Sequence, residues 1–352
     1  MKRIAVLGLG NAGTTLHLPA LRALPGVEIV GGCDTDPQHR ERAGRKFGIP
    51  VHEDFGALLS SAAPDAVIVG TPPATHEDAA LQALEAGADV ICEKPIAPTV
   101  EAADRMLASA ARNGRRLAVN HEFRVMPIFE ALADELGAAE TGELVFLQAW
   151  QSMDLPPWAE PGWRGELLNG TLFEAGIHLV DYALFLFGES PVTVSATTST
   201  CGVRDTDSDS VALVTLEFSR GRLAHIVQNR LCKGDTQYFD VRADAERASL
   251  RASFGGRVRL SLGLLRSVRP HVRLENGRAG VAWREVADRR VALARNPSNP
   301  AMRATRDLIG RTLEAFRTGG PAPADGEAGR AALAVVAACY ESARSGRKVV
   351  LA

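Results

Sequence analysis

The sequence predicts an α/β fold: a doubly wound parallel sheet in the first third of the chain, followed by a second domain of mixed helix and strand. Three observations carry this. Short, β-branched apolar runs alternate with Ala-rich helical stretches up to about residue 120. A G-x-G-x-x-G turn follows the first of those runs. The length, 352 residues, favours about two domains of ordinary size, each able to bury its own core.

Taken in order, "RIAVLGL" reads as a strand and "TTLHLPALRAL" as the helix after it, then "VEIVGGC" as a strand and "PQHRERAGRKF" as a helix. "DAVIVGT", "ADVIC" and "RRLAVN" are further strands, separated by helical stretches such as "HEDAALQALEAG". Buried strands that alternate with helices make βαβ units and a parallel sheet. Asp36 followed by Pro37 is an N-cap with proline at the first helical position, a structural role. Beyond residue 140 the pattern changes. Residues 143–152, 191–200, 209–219 and 222–230 alternate as half-buried strands do. "NGTLFEAGIHLVDYALFLFG" (169–188) is apolar enough for a buried helix, and "RDLIGRTLEAF" and "AGRAALAVVAACYESA" are the last two helices.

The totals exclude several classes. With 46% hydrophobic and 23% charged residues the chain has the composition of a soluble globular protein, and a net charge of −2 draws it to neither nucleic acid nor an anionic membrane. "MKRIAVLGLG" runs straight into a strand pattern, which leaves no room for a signal peptide. No apolar run approaches the roughly 20 residues of a membrane span. Five scattered cysteines (33, 92, 201, 232 and 339) suit neither a disulfide framework nor a zinc site, so no metal is expected and a reducing cytoplasm is.

The turn "GLGNAG" holds Gly8, Gly10 and Gly13. Glycines collect in turns, so context decides: the motif follows a strand, opens a helix, and Asp34 ends the next strand 21 residues after Gly13. Gly8 permits the tight turn, Gly10 lets the backbone approach a pyrophosphate, and Gly13 lets helix and strand approach closely. Asn11 and Ala12 complete the turn, whose helix N-terminus offers N–H groups to the anion. Asp34 would accept hydrogen bonds from the adenosine ribose. Its charge repels a 2′-phosphate, and "TDPQH" supplies no adjacent Arg or Lys, so NAD is expected rather than NADP. Thr71-Pro72-Pro73 and Lys94 also lie at strand ends, where ligands bind in doubly wound sheets.

In the long apolar helix, Glu174, His178 and Asp181 follow at steps of four and three, which places them on one face of an α-helix. A satisfied buried network is the plain reading of such a stripe. A catalytic face is the other.

The ordered series "GLGNAG", "CDTDP", "TPPATH", "EKP", "AVNHEFRVMP", "GWRGELLNGTLFEAGIHLVD" and "TGGPAPADGEAGRAALAVVAACYESARSGRKVVL" resembles the Gfo/Idh/MocA oxidoreductases, named after glucose–fructose oxidoreductase, inositol dehydrogenase and a rhizopine-catabolism protein. The resemblance spans nearly the whole chain. It implies a Rossmann domain over residues 1–121 and, over 122–352, a substrate and oligomerisation domain built on a large, mainly antiparallel open sheet, with the last helices packing back near the first domain. It also implies a homodimer or homotetramer through that sheet. The family's catalytic pattern is the Lys of E-K-P with D-x-G-x-H-x-x-D. Lys94, Gly176, His178 and Asp181 match it, and Glu174 stands where the family usually has Asp. Carried over in the same way, His76, Glu93, Trp163 and Arg164 join the cofactor site beside Lys94 and Thr71–Pro73. His121 and Arg124, from a segment that departs from the common Asn-x-Arg-Phe type, join the substrate site.

The chemistry fits these groups. Oxidising a secondary alcohol sends hydride to nicotinamide while a base takes the hydroxyl proton, a task for an imidazole near neutral pH. A lysine ammonium stabilises the developing alkoxide. The expectation is therefore an NAD-dependent dehydrogenase of a sugar, sugar derivative or cyclitol. Alternatives are a redox-neutral enzyme that cleaves glycosides or epimerises with tightly held NAD, or a non-catalytic NAD-binding regulator. Residues 257–273, with Arg257, Arg259, Arg266, Arg269 and Arg273 and no acid, read as a solvated strand face, or as a surface for an anionic substrate or a neighbouring subunit.

Overall fold

The computed structural model describes residues 1–155, 162–164, 170–201, 208–234, 237–255, 258–263, 271–276, 280–287 and 289–351. The chain forms two compact units, Met1–Val125 with Ala301–Ala337, and Met126–Pro300 with Ala338–Ala352.

In the first unit, strands β1 (Lys2–Leu7), β2 (Val27–Cys33), β3 (Val51–His52), β4 (Ala66–Val69), β5 (Asp89–Cys92) and β6 (Leu117–Val119) form one sheet in the order β3-β2-β1-β4-β5-β6. Every pairing is parallel. The order reverses beside β1, which opens the crevice at the carboxyl ends of β1 and β4. Helices α1 (Leu18–Arg22), α2 (Pro37–Phe47), α3 (Phe55–Ala62), α4 (His76–Glu85) and α5 (Val100–Arg112) connect the strands. The expected cap is present: Asp36 accepts from the Gln38 N–H at 2.8 Å, and Gly48 ends α2 in the left-handed region. Ile4, Val6, Leu9, Leu18, Ile68 and Ile91 form a core that Ile309 and Leu313, from the helix Pro300–Thr318, complete.

The second unit is built on nine strands. β7 (Leu144–Ser152), β8 (Thr193–Ser199), β9 (Val211–Glu217), β10 (Leu223–Asn229), β11 (Gln237–Ala245) and β12 (Ser249–Gly255) are joined by β15 (Val281–Val286), β16 (Arg289–Arg295) and β17 (Val349–Val350). The order is β16-β15-β12-β11-β7-β10-β9-β8-β17, and the sheet is antiparallel except where β10 pairs with β7. β13 (Val258–Gly263) and β14 (His271–Asn276) form a separate hairpin. The four strands read from the sequence are β7 to β10. Helices α6 (Pro127–Leu136) and α7 (Ile177–Phe187) cover one face. There Phe129, Tyr182 and Phe239 cluster, Phe129 lying 4.6 Å from Phe239 and 5.3 Å from Tyr182, and the Tyr182 hydroxyl donates to the Phe129 carbonyl at 2.7 Å.

One expectation is corrected. The helix that carries Glu174 is not continuously α: Thr171–Gly176 is π-helical, and α7 begins at Ile177. Glu174 therefore lies in the π-helical turn, whereas His178 and Asp181, three residues apart, both lie in α7. Of the arginine-rich stretch, Arg257, Arg266 and Arg269 lie outside the described residues, as do the side chains of Arg259 and Arg273. Among the described residues no helix is long and apolar enough to cross a membrane.

Candidate active site

The dinucleotide turn is built by sterics. Gly8 has φ +94°, and a Cβ there would sit 2.6 Å from the Gly70 carbonyl oxygen at the end of β4. A Cβ on Gly13 would collide with the Gly8 carbonyl. Gly10 is different: nothing lies nearer its missing Cβ than a His39 ring carbon at 3.6 Å, so this face of the turn is open. A pyrophosphate needs such a glycine cradle ahead of a helix N-terminus. Behind it the chain enters a π-helical turn, Gly13–His17, where Thr14 and Thr15 return their hydroxyls to the Gly10 and Asn11 carbonyls at 2.8 and 2.7 Å.

Asp34 closes the turn from β2. Its Oδ2 accepts the Leu9 N–H at 2.7 Å and meets His39 Nδ1 at 3.2 Å, and its Oδ1 accepts the Asp36 N–H at 2.9 Å. A carboxylate has about four lone-pair sites, so both oxygens keep capacity for a ribose diol. The residues present therefore fit a dinucleotide. His39 and Arg40 were not singled out in the sequence. Arg40, six residues beyond Asp34, spends its guanidinium on the Asp34 and Thr35 carbonyls at 2.8 and 2.9 Å and on Glu53 at 3.0 Å.

At the ends of β5 and β6 the structure assembles a polar cluster. Glu93 Oε1 lies 2.9 Å from His17 Nε2 and accepts from Asn120 Nδ2 at 2.8 Å, while Oε2 accepts the Lys94 N–H at 3.1 Å. The His17 side chain is fully buried and that of Glu93 is 13% exposed. Burial pushes the Glu93 carboxyl up, but the hydrogen bond and charge of His17, the charge of Lys94 and the Asn120 amide outweigh it and hold the group at about 2. Gly70 makes room for this pair, since its Cβ would stand 3.3 Å from the His17 ring. The only sequence signal for His17 was a lone imidazole in an apolar helix.

His76 staples two loops, its Nε2 at 2.7 Å from the Thr71 carbonyl and its Nδ1 at 2.9 Å from the Pro95 carbonyl. Desolvation lowers its pKa, against the pull of those carbonyls. The Thr75 N–H closes the Thr71-Pro72-Pro73 turn by donating to the Pro72 carbonyl at 3.0 Å. Nearby, His121 is buried, and Arg124 donates to the Pro323 carbonyl at 3.1 Å.

In the second unit, His178 occupies the first turn of α7 and is 5% exposed, and Asp181 is buried at 2%. Glu174 is joined to Arg164: Nε donates to Oε1 at 3.1 Å, and the guanidinium lies 4.4 Å from the centre of the Trp163 ring. The sequence named all three without pairing them. The pairing gives the longer carboxylate a reason, because an Asp at this position would stop over an ångström short of Arg164.

Burial pushes the thiols of Cys33 and Cys339 up to about 11 and 12, and that of Cys92 well above its ordinary value. None of the three offers a thiolate.

The strand order of the parallel sheet and the open glycine turn define a Rossmann-type dinucleotide fold. The chain belongs to the GFO/IDH/MocA family: residues 2–121 match the family's "Oxidoreductase family, NAD-binding Rossmann fold" model, and residues 129–249 match its C-terminal domain. It is 28% identical over 356 residues to a D-apiose dehydrogenase of Paraburkholderia graminis, covering 99% of this chain and 89% of that one. It is 30% identical over 226 residues to an inositol 2-dehydrogenase of Saccharopolyspora erythraea, covering 63% and 65%. Among solved structures, an oxidoreductase from Agrobacterium radiobacter in complex with NAD+, L-tartaric acid and magnesium has the same fold, with a TM-score of 0.83 at 19% identity over 99% of this chain and 98% of that one.

Proposed function

We propose that this protein is an NAD-dependent dehydrogenase that oxidises a secondary hydroxyl of a sugar, sugar derivative or cyclitol. The observation that carries the reading is the Glu93–His17–Asn120 cluster, which takes the Lys94 N–H at the carboxyl ends of the parallel sheet that also carries the open Gly10 turn. The Glu93 carboxylate there holds the Lys94 backbone in place, which suits a lysine that is to stabilise a developing alkoxide. Similarity to dehydrogenases of D-apiose and inositol supports the substrate class.

Bound NAD supplies the hydride acceptor. The chain's own residues do the rest. Gly8, Gly10, Asn11, Ala12 and Gly13 receive the pyrophosphate and Asp34 the ribose diol, with Thr71–Pro73, His76, Glu93, Trp163 and Arg164 holding the remainder of the cofactor site. Lys94 stabilises the alkoxide that develops as the hydroxyl proton leaves, and His178 takes that proton. Glu174, held by Arg164, orders a neighbouring hydroxyl, and His121 and Arg124 contribute to substrate binding. Asp34 favours NAD over NADP, because Arg40 is already engaged with two carbonyls and Glu53.

A screen of aldoses, sugar acids and cyclitols with NAD, read at the NADH absorbance band, tests this. Accumulating NADH is expected. Conversion without net NADH would replace the reading with a redox-neutral one. We also infer a homo-oligomer through the uncovered face of the second sheet, which exposes Leu213, Leu223 and Tyr238 by 39–44%. Light scattering that gives a monomer would reject this.

A further inference from the structure

We propose that Asp209 and Tyr340 are positioning residues for the reaction: together they hold the π-helical turn Thr171–Gly176, which carries Glu174 and leads into His178. The proposal rests on the reading that Glu174 and His178 act on the substrate.

A helix leaves its first N–H groups without intrahelical partners. Here three consecutive ones are taken up by side chains from distant parts of the chain. The Thr171 N–H donates to Asp209 Oδ1 at 3.0 Å, and the Thr171 hydroxyl donates to the Asp209 carbonyl at 2.5 Å. The Leu172 and Phe173 N–H groups donate to the Tyr340 hydroxyl at 3.0 and 3.4 Å. That hydroxyl lies 3.3 and 3.4 Å from the two oxygens of Asp209, so it passes its own proton toward the carboxylate while accepting from the helix. Asp209 is 4% exposed, Tyr340 6% and Thr171 0%.

Asp209 precedes β9, and Tyr340 lies on the last helix, Gly326–Ser345. Burial raises the Asp209 carboxyl above its ordinary value, against the hydrogen bonds from Thr171 and Tyr340. A buried acid is an expensive cap where serine or threonine would serve. What it secures is a register. With 3.6 residues per α-turn, one inserted residue rotates everything on the N-terminal side by about 100°. If the turn reverted to α-geometry, the backbone that carries Glu174 would shift relative to His178 in α7. The lock thus fixes the backbone turn from which Glu174 meets Arg164.

The test compares Tyr340→Phe, Asp209→Asn, Glu174→Gln and the double variant Tyr340→Phe/Glu174→Gln, all saturated with NAD. Turnover is measured with the sugar or cyclitol that the NADH screen selects. Amide hydrogen exchange is followed over residues 171–176, and thermal stability is recorded. Tyr340→Phe should lower kcat/KM about 10-fold or more, leave the NAD dissociation constant within about 3-fold, and speed exchange at Leu172 and Phe173. Adding Glu174→Gln to it should cost little further, because both changes undo one arrangement. A Tyr340→Phe protein that melts lower yet keeps wild-type kcat/KM overturns the proposal, as does a double variant whose losses simply multiply. Should Tyr340→Phe fail to fold, Asp209→Asn carries the same expectations. If Glu174→Gln alone is fully active, Glu174 has no part in turnover and the positioning proposal is overturned, while NADH formation from the selected sugar leaves the dehydrogenase reading standing; a screen that yields no NADH removes that reading instead. If Glu174→Gln is impaired but Tyr340→Phe and Asp209→Asn are not, only the positioning role is lost.

Discussion

Replacing Glu93 by Gln should uncover a pH-dependent share of this protein's stability. The change keeps the side chain's shape and removes its charge. In the folded protein the Glu93 carboxyl is held at about 2, from an ordinary 4.5, with His17, Lys94 and Asn120 overcoming the burial penalty. A depressed carboxyl binds its proton less readily in the folded state than in the unfolded one. Its contribution is therefore complete above pH 4.5 and is lost as pH falls toward 2. At about 1.4 kcal/mol per unit, the shift corresponds to roughly 3 kcal/mol at pH 6, and about half of that remains at pH 3. Direct loss of a buried pair's partner falls in the same range, about 3–5 kcal/mol. The assay is urea unfolding of both proteins at pH 6, 5, 4 and 3. The gap between wild type and Glu93→Gln should be widest at pH 6 and should narrow by about half by pH 3. A gap of constant size would refute the reasoning, because it would mean that Glu93 is not ionised against His17.

Other outcomes follow from the same geometry. Lys94→Ala and His178→Ala should each fold and bind dinucleotide, with kcat lowered on the order of 10²–10⁴-fold in steady-state assays. Near-normal turnover in either would remove that residue from the chemistry. Asp34→Ala should weaken NAD binding and narrow its margin over NADP in calorimetric titrations, whereas tighter NADP binding by the unmodified protein would overturn the assignment. Glu174→Asp, although it restores the family's usual residue, should lower kcat/KM by about 10-fold by withdrawing the carboxylate from Arg164. The effect belongs at the low end of the range because Arg164 is 40% exposed. An unchanged kcat/KM would show that the Arg164–Glu174 pair does not serve the substrate.

What was legible in the sequence was local. The G-x-G-x-x-G turn, its strand and Asp34 lie within about thirty residues, and Gly13 answers a steric demand that Gly8 itself creates. The Asp36 cap needs only Gln38, two residues on. Strands β7 to β10 show through their period of two, since one face is buried under helices. The rest depends on partners far along the chain. His17 and Glu93 are 76 residues apart and meet only because β1 and β5 flank β4. Tyr340 reaches Leu172 across 168 residues. The π-turns have no periodic signature, because the apolar residues around them satisfy an α-pattern equally well. The pairing of Glu174 with Arg164, ten residues before it, was likewise not visible in the stripe of polar residues.

The Glu93 cluster also bears on why these polar groups are kept. A buried ion pair is an indifferent stabiliser, since desolvation offsets much of its attraction and apolar side chains of similar volume often do as well. The interior of this sheet uses them: Ile4, Val6, Ile68 and Ile91 are fully buried and carry no charge. At the carboxyl ends of β5 and β6, as at Asp34 beyond β2, the fold spends hydrogen bonds on an anion. What an ion pair offers there and a leucine does not is direction. The Glu93 carboxylate takes the Lys94 N–H, the Asn120 amide and the His17 ring at once, so two strand ends and the helical turn after the glycines share one fixed point. A backbone held in that way presents the Lys94 ammonium from a defined origin, which is the condition for stabilising charge that appears only during reaction.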